Sequence, residues 1–316
     1  MFINILLLIL GFILLIKGAD LFVDGASSTA LNFNVSKMLI GLTIVAFGTS
    51  APELAVSINA LASGSTDMVL GNVVGSCVLN ILLIIGISAV IRPIKIKENT
   101  IKKELPLVML LSVVLGVVLI DSKLDNGDVN QFSRSDAIIV LLFFLIFLYY
   151  LVITALQKKK KGNEKPKYNL GISLLFVILG LVGIIFGSDL VVDNASSIAK
   201  ALGLSERIIA ITIIALGTSL PELVTAIVAA KKDEQDLLLG NIIGSNIFNI
   251  CIVLGVPVAV FGTVTLSNFQ SMDIIMIVGT SILLFILANS KKTISRLEGA
   301  LMLLLFVTYY IFVFVV

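Results

Sequence analysis

The chain has 316 residues, of which 58% are hydrophobic and 13% are charged, and its formal net charge is +2. A soluble domain of this length carries about 25% charged residues. The composition therefore excludes a water-exposed globular protein and indicates a membrane protein with several spans. No nucleic-acid partner is expected, and no obligatory protein partner is evident.

Apolar stretches separated by short polar turns predict about ten transmembrane helices, because a helix needs about 20 residues to cross a bilayer. The opening stretch lacks a basic start and a small-residue cleavage site, so we interpret it as a retained helix and not as a signal peptide. The predicted spans are 3–28, 36–62, 68–91, 104–121, 135–156, 170–197, 205–230, 236–260, 270–289 and 297–316.

The chain contains two copies of one sequence at a constant offset of 169 residues. Residues 39–60 match 208–229 at 12 of 22 positions, and residues 69–86 match 238–255 at 8 of 18, both without a gap. Chance similarity between apolar helices would not align Gly, Pro, Asn and Glu in register. The predicted division is a first repeat at 1–156, a basic linker at 157–169 and a second repeat at 170–316.

The distribution of Lys and Arg predicts the orientation, because cytoplasmic loops carry an excess of both. Placing the basic linker in the cytoplasm puts 17 of the 22 basic residues on that side, and both termini are then extracellular. Each repeat has an odd number of predicted spans, so the two copies have opposite orientations. We therefore expect an all-α polytopic protein of the cell membrane, built from two inverted five-helix repeats as in secondary transporters.

Each copy places a helix breaker, two hydroxyls and one carboxylate inside an apolar segment. The two stretches are Gly48-Thr49-Ser50-Ala51-Pro52-Glu53 and Gly217-Thr218-Ser219-Leu220-Pro221-Glu222. A charged side chain at bilayer depth costs about 2.5–3.5 kcal/mol on insertion scales, so its presence indicates function. We expect broken helices at the second and seventh spans, with the binding site near the midplane.

The prolines and the spacing predict an oxygen-rich site. Proline has no N–H, so Pro52 and Pro221 leave one carbonyl group in each copy, at Gly48 and Gly217, without its helical partner. In the first copy the two hydroxyls precede the carboxylate by three and four residues, so all three are expected to face one way along a helix.

The predicted ligands favour hard cations. Oxygen ligands suit Ca²⁺ and Na⁺, and the sequence contains no histidine. The two carboxylates, Glu53 and Glu222, match one divalent ion, and their repulsion in an empty site predicts competition by protons. Cys77 and Cys251 lie in apolar segments and are interpreted as packing residues.

A polar stripe follows each carboxylate segment. Its members recur every four residues and are Asn72, Ser76 and Asn80 in the first copy and Asn241, Ser245 and Asn249 in the second. Such residues serve equally well as hydrogen-bond partners between helices. Their place directly after each carboxylate segment favours a role in the ion site.

Four further acidic residues are duplicated near the ends of the first and sixth spans. They are Asp20, Asp24, Asp189 and Asp193. Because they fall near the ends of their spans, a role at the interface or in helix packing is favoured over ion ligation.

The doubled pattern Gly-Thr-Ser-x-Pro-Glu followed by Gly-Asn-x-x-Gly-Ser-x-x-x-Asn resembles the two alpha-repeats of the sodium/calcium exchanger superfamily. The resemblance covers essentially the whole chain. The short linker is similar to that of prokaryotic and archaeal members, because the eukaryotic members carry a large regulatory domain there.

The resemblance implies an ion site made of carboxylates, hydroxyls, amides and backbone carbonyl groups from both repeats. The implied ligands are Glu53 and Glu222, the hydroxyl or backbone oxygens of Thr49, Ser50, Thr218 and Ser219, the carbonyl groups of Ala46 and Ala215, the side chains of Ser76 and Ser245, and the amides of Asn80 and Asn249. Asn249 departs from the family pattern, since several members, notably the K⁺-dependent ones, have Asp there. This departure argues against a K⁺ requirement without excluding one.

The function that the resemblance implies is exchange of Na⁺ for Ca²⁺ by alternating access, with the two ions as substrates, the bilayer as surroundings and no cofactor. In the family about three Na⁺ compete with one Ca²⁺, and the first and sixth spans are thought to slide against the other eight. H⁺/Ca²⁺ exchange and K⁺-dependent Na⁺/Ca²⁺ exchange on the same scaffold remain open. A cation channel is the alternative of another class, and an intramembrane hydrolase ranks last because the two glutamates show no division into acid and base environments. We expect no enzyme activity.

Overall fold

The structure of the chain is a computed structural model, which describes residues 1–64, 66–120, 130–156, 164–203, 213, 215–265 and 271–315. The described residues are mostly helical. The α-helices are α1 (Phe2–Asn32), α2 (Lys37–Ile40), α3 (Ala46–Thr49), α4 (Ala51–Ala62), α5 (Thr66–Leu79), α6 (Gly86–Ile91), α7 (Leu105–Val118), α8 (Arg134–Leu156), α9 (Leu170–Ala201), α10 (Ala215–Gly217), α11 (Leu220–Lys231), α12 (Gln235–Phe248), α13 (Gly255–Phe261), α14 (Ser271–Lys291) and α15 (Arg296–Val315).

Wider π-helical turns interrupt several of these helices. They are Gly41–Val45, Asn80–Ile85, Thr100–Glu104 and Asn249–Leu254. Two short antiparallel pairs join loops: β1 (Ile94–Lys95) with β4 (Thr293–Ile294), and β2 (Gln131–Phe132) with β3 (Val264–Thr265).

Among the described residues, six helices are long and apolar enough to cross a membrane, and a pair bent at Ser50 makes a seventh if it is one span. The six are Phe2–Asn32, Met68–Ile91, Arg134–Leu156, Leu170–Ala201, Gln235–Phe261 and Met272–Lys291. The prediction of a helical membrane protein with several spans is confirmed. The stretches predicted at 104–121 and 297–316 are largely helical, and 205–230 is described only at 213 and 215–230, so the number ten stays a prediction.

Burial separates the helices into two kinds. The apolar windows of Met68–Ile91 and Gln235–Phe261 are 72% and 83% buried, whereas those of α1 and α8 are only 22% buried. An apolar helix that leaves most of its surface uncovered suits contact with lipid, while one buried on all sides lies inside the protein. The two buried helices carry the polar stripes.

The described residues form two compact units, and each unit combines segments from both sequence repeats. Unit 1 comprises Met1–Pro52 and the described part of Gln157–Asn241, and unit 2 comprises Glu53–Leu156 and the described part of Ile242–Val316. Residues 157–163 of the basic linker lie outside the described residues, as do 121–129.

In unit 1 the long helices α1 and α9 pack through glycine. A Cβ added at Gly18 would lie 2.7 Å from the backbone nitrogen of Ile184, and one added at Gly180 would lie 2.5 Å from that of Phe22. Contacts this short leave no space for a side chain, so glycine is required where the two backbones meet.

Ion pairs connect the C-terminal half of α1 to the turn after α11. Lys232 Nζ lies 2.6 Å from Asp20 Oδ1 and 2.7 Å from Asp24 Oδ1, and Lys167 Nζ lies 2.8 Å from Asp24 Oδ2. The hydrogen bond to Asp24 raises the pKa of Lys167, which therefore stays charged at physiological pH. These contacts agree with the packing role predicted for the two aspartates.

A second group of contacts lies in the same part of unit 1. Lys37 Nζ lies 2.9 Å from Glu234 Oε2, and the hydroxyl of Ser27 donates to Glu234 Oε1 at 2.8 Å. Ser27 of α1 and Lys37 of α2 thus both bond to Glu234, in the turn that joins α11 and α12.

In unit 2 the remaining long helices pack pairwise. Helix α14 packs on α7, α13 packs on α8, and α15 packs on α6. A Cβ at Gly299 would lie 2.8 Å from the carbonyl oxygen of Gly86, so the contact between α6 and α15 is again a close backbone approach.

Candidate functional site

We call Gly48–Glu53 and its copy Gly217–Glu222 the two signature stretches. The first of them breaks its helix, as predicted. Helix α3 ends at Thr49, Ser50 has φ −84° and ψ 4°, and α4 begins at Ala51 with Pro52 in its first turn. Because the helix begins again after Ser50, helical spacing does not carry Thr49, Ser50 and Glu53 onto one face. The residues are arranged instead by the contacts that each of them makes.

The second signature stretch is broken in the same way. Helix α10 ends at Gly217, and α11 begins at Leu220 with Pro221 in its first turn. The hydroxyl of Ser188 in α9 donates to the carbonyl oxygen of Gly217 at 3.0 Å. The carbonyl group that Pro221 leaves without a helical partner therefore has a hydroxyl partner, so it needs no ion to compensate it.

Unit 1 brings the hydroxyl of one signature to the carboxylate of the other. Ser50 Oγ donates to Glu222 Oε1 at 3.0 Å, although the two residues are 172 positions apart. Ser50 is 3% exposed and Glu222 is 0% exposed. Burial of a carboxylate is costly, and a hydroxyl that donates to it offsets part of the cost.

Thr49 lies within an oxygen-rich group in the same unit. Its hydroxyl oxygen is 3.0 Å from Asn241 Oδ1, 3.1 Å from the carbonyl oxygen of Val45 and 3.4 Å from that of Ala46. The Thr49 hydroxyl donates to only one of these three oxygens at a time, although the Ala46 carbonyl oxygen also accepts from the backbone nitrogen of Ser50. Such a group is suited to a hard cation.

Unit 2 holds the other carboxylate. Glu53 is 1% exposed, and its backbone carbonyl oxygen accepts from Asn72 Nδ2 at 3.2 Å. The same amide nitrogen donates to the hydroxyl of Ser57 at 3.2 Å. The first residue of the polar stripe thereby connects α5 to the first turn of the carboxylate helix α4.

Apart from the half-buried Asn72, the polar stripes are buried, and each ends at a helical irregularity. The side chains of Ser76, Ser245, Asn80 and Asn249 are at most 4% exposed. The π-helical turns begin at Asn80 in the first copy and at Asn249 in the second, 169 residues later. Turns of this kind are frequent at functional sites. They are a repeated feature that the sequence pattern does not predict.

Asparagine side chains in unit 2 carry polar atoms that lack hydrogen-bond partners among the described residues. They are Asn80 Oδ1 and both Oδ1 and Nδ2 of Asn249. A buried polar group without a partner costs about 1–3 kcal/mol. An ion or a water molecule that binds these atoms would remove that cost.

The structure places the remaining predicted ligands as follows. Ala46 is buried, and its carbonyl oxygen accepts from the backbone nitrogen of Ser50 at 3.0 Å. Ser219 is 1% exposed, and Thr218 Oγ1 is buried without a partner among the described residues. Ala215 begins α10.

Three polar residues in these surroundings are absent from the predicted set: Ser57, Ser188 and Asn246. Ser57 and Ser188 stand opposite Ala226 and Ala19 in the alignment of the two copies, so the repeat gave no indication of them. Asn246 stands opposite Cys77, and its side-chain oxygen accepts from Asn80 Nδ2 at 3.0 Å.

The described residues contain no group of three or more Cys, Asp or Glu side chains arranged to hold a metal ion. Each signature stretch instead contributes one buried carboxylate: Glu222 in unit 1, which accepts from the Ser50 hydroxyl, and Glu53 in unit 2. Apolar membrane-length helices, two broken segments and buried carboxylates define a polytopic membrane protein that handles cations.

Comparison with known proteins identifies the family. Residues 3–153 and 172–315 match the family model described as sodium/calcium exchanger protein, and the chain belongs to that family. Its members are exchangers, which agrees with the expectation that the protein is not an enzyme.

Curated relatives cover almost the whole chain. The putative antiporter CaxA of Alkalimonas amylolytica is 37% identical over 312 residues, 98% of each chain. The sodium/calcium exchanger MaX1 of Methanosarcina acetivorans is 33% identical over 348 residues, 99% of each chain. Among solved structures, the sodium-calcium exchanger NCX_Mj in a crystal soaked with 10 mM Na⁺ and no Ca²⁺ superposes with a TM-score of 0.85 at 35% identity, over 96% of this chain and 97% of that one.

Proposed function

We propose that the protein is a secondary antiporter that exchanges Na⁺ for Ca²⁺ across the cell membrane by alternating access. The observation that carries this proposal is the buried hydrogen bond from Ser50 to Glu222, because it joins the signature stretches of both sequence copies. The oxygen-rich surroundings of Thr49 in the same unit support a cation as the occupant.

The chemistry of the donors favours Ca²⁺. Calcium takes six to eight oxygen ligands, and two carboxylates balance its charge. We propose that Glu53 and Glu222 bind the ion together, as the doubled motif indicates. Soft donors are unsuited to it, and the thiols of Cys77 and Cys251 are buried and are not among the proposed ligands.

Na⁺ is proposed as the driving ion because the candidate donors include many neutral oxygens. The proposed ligands are the hydroxyl or backbone oxygens of Thr49, Ser50, Thr218 and Ser219, the side chains of Ser76 and Ser245, the carbonyl groups of Ala46 and Ala215, and the amides of Asn80 and Asn249. The names of the relatives agree with this choice: MaX1 is called a sodium/calcium exchanger, and crystals of NCX_Mj were soaked with Na⁺, Ca²⁺ or Sr²⁺.

H⁺/Ca²⁺ exchange is the second candidate, because two buried carboxylates can carry protons in place of Na⁺. A K⁺ requirement is the less favoured variant, since residue 249 is Asn and contributes no charge. We propose that the basic linker is cytoplasmic, that both termini are extracellular and that the protein extrudes Ca²⁺.

The test is ⁴⁵Ca²⁺ uptake into proteoliposomes loaded with Na⁺, with the pH equal on both sides and K⁺ either present or absent. The proposal predicts uptake that requires internal Na⁺ and is indifferent to K⁺. Liposomes loaded with choline are the matched control. Uptake that follows an imposed pH gradient and ignores Na⁺ would replace the driving ion by H⁺ and contradict the proposal.

A further inference from the structure

Asn246 makes a contact that the transport proposal does not use. Its side-chain oxygen accepts from Asn80 Nδ2 at 3.0 Å, and both residues belong to unit 2. Asn80 is 1% exposed and Asn246 is 2% exposed. The bond therefore lies where neither amide exchanges partners readily with bulk water.

With Asn246 presenting its oxygen, as in the structure, the bond determines which end of the Asn80 amide is presented. A carboxamide has a donor end and an acceptor end, and only the oxygen can bind a cation. Because Asn246 holds the nitrogen, Asn80 Oδ1 points the other way, where it is buried and has no hydrogen-bond partner among the described residues. An oxygen fixed in this position at the start of a π-helical turn is prepared for a ligand.

The second copy lacks this arrangement. The residue that stands opposite Asn246 in the alignment of the repeats is Cys77, whose thiol lies 3.9 Å from the backbone oxygen of Asn246. A thiol is a weak acceptor and cannot hold an amide nitrogen as a carbonyl oxygen does. In agreement, neither Nδ2 nor Oδ1 of Asn249 has a partner among the described residues.

We propose that Asn246 is a positioning residue that orients the carbonyl oxygen of Asn80 toward the transported cation. Asn249 has no counterpart of Asn246, so its amide turns to suit the ion. The two asparagines thus act differently: Asn80 is a fixed oxygen ligand and Asn249 is an adaptable one. This inference rests on the proposed cation transport, and it adds a residue that makes no contact with the ion.

The test is a double-mutant cycle on the KM for ⁴⁵Ca²⁺ uptake in proteoliposomes. Asn246→Leu removes the acceptor, and we expect it to raise KM about fivefold with the maximal rate within about twofold, the size expected for one neutral hydrogen bond. In an Asn80→Asp background the same substitution is expected to change KM less than about twofold, because a carboxylate presents an oxygen in either orientation.

Two further variants complete the test. Asn246→Ala removes the same acceptor without added volume, and it replaces the Leu variant if that protein does not fold. Cys77→Ala is the matched control at the aligned position, and its KM is expected to equal that of the wild type. An equal rise in KM in both backgrounds would show that Asn246 only fills space, and no rise in either would show that Asn80 needs no positioning.

The cycle is run under a Na⁺ gradient and under a pH gradient. If the wild-type protein responds only to the pH gradient, Na⁺ exchange is overturned while the cycle still decides the role of Asn246. If the wild-type protein takes up no Ca²⁺ under either gradient, both proposals are overturned.

Discussion

The two copies of the signature share their proposed ligands but not the residues around them. In the first copy, Asn72 Nδ2 donates to Ser57 and to the carbonyl oxygen of Glu53. In the second copy, Ala226 stands where Ser57 would be, and Asn241 Nδ2 has no partner among the described residues. The duplicated residues are those that we propose as ion ligands, whereas the residues that contact them differ between the copies.

The ends of the long helices differ in the same way. Asp20 and Asp24 of α1 are paired with Lys232, but Ser63 occupies the position of Lys232 in the first copy. The corresponding Asp189 and Asp193 of α9 have no ion-pair partner in the part of the chain that the structure describes. The ion pairs that join Asp20 and Asp24 of the first repeat to Lys232 of the second therefore have no equivalent at α9 among the described residues.

The largest effect is expected from the residues that the two copies share. Glu53→Gln and Glu222→Gln each remove half of the proposed charge at nearly constant volume, so each is expected to lower Ca²⁺ uptake at least about 100-fold, or about 2.7 kcal/mol. Glu164→Gln makes the same chemical change at an exposed position and is expected to leave uptake unchanged. Wild-type uptake by either variant would remove that glutamate from the site.

An intermediate effect is expected from Ser50 of the first copy, which donates a hydrogen bond to the carboxylate of Glu222 in the second copy. Ser50→Ala removes the donor to Glu222, and a hydrogen bond to a charged group contributes about 1.5–3 kcal/mol. We expect the KM for Ca²⁺ to rise about tenfold or more. The control is Ser63→Ala, since the Ser63 hydroxyl donates only to carbonyl groups of its own helix. Equal KM values for the two variants would contradict the role of Ser50.

A smaller effect is expected from the ion pairs of α1 that have no equivalent at α9 among the described residues. Asp24→Asn breaks the bonds to Lys232 and Lys167, which are worth about 1 kcal/mol at this exposure. The melting temperature is expected to fall by about 2 °C, measured by thermal unfolding in detergent. Asp193→Asn, at the aligned position, is expected to cause no fall. If the melting temperature falls equally in both variants, the difference in ion pairing between α1 and α9 does not contribute to stability.

The smallest effect is expected from removing or adding a hydroxyl acceptor for Asn72 and Asn241, the first asparagines of the two polar stripes. Ser57→Ala removes one acceptor of Asn72 and is expected to destabilise the protein by about 1 kcal/mol or less. Ala226→Ser supplies the missing acceptor to Asn241 and is expected to raise stability by a similar amount or leave it unchanged. Chemical denaturation or thermal unfolding measures both variants. A clear loss of stability in Ala226→Ser would mean that the two copies differ in backbone as well as in side chains.

Much of the fold was predictable from the sequence because apolar stretches and single prolines determine it. Long apolar stretches predict membrane helices, and Pro52 and Pro221 predict the breaks that the structure has at Ser50 and after Gly217. Family membership followed from the doubled motif. The π-helical turns at Asn80 and Asn249 were not predictable, because they depend on how each helix packs and not on a residue type.

The candidate site was predictable only in its duplicated part. The repeat points to Glu53, Glu222 and the stripe asparagines as candidates, whereas Ser188 and Asn246 have no counterpart of the same type in the other copy and give no repeated signal. Helical spacing was also a poor guide across the break at Ser50. Ser50 was expected to share a helix face with Glu53, but its hydroxyl donates to Glu222 of the other copy. Pairing between residues 172 positions apart is a property of the tertiary fold.

The most direct test of the account measures both fluxes in the same proteoliposomes, as ²²Na⁺ efflux together with ⁴⁵Ca²⁺ influx at equal pH on both sides. Exchange at a shared site predicts that each flux requires the other ion and that the two stop together in Glu222→Gln. Calcium influx that continues at the same rate with no Na⁺ on either side would contradict the account and would indicate a channel or a proton-driven exchanger.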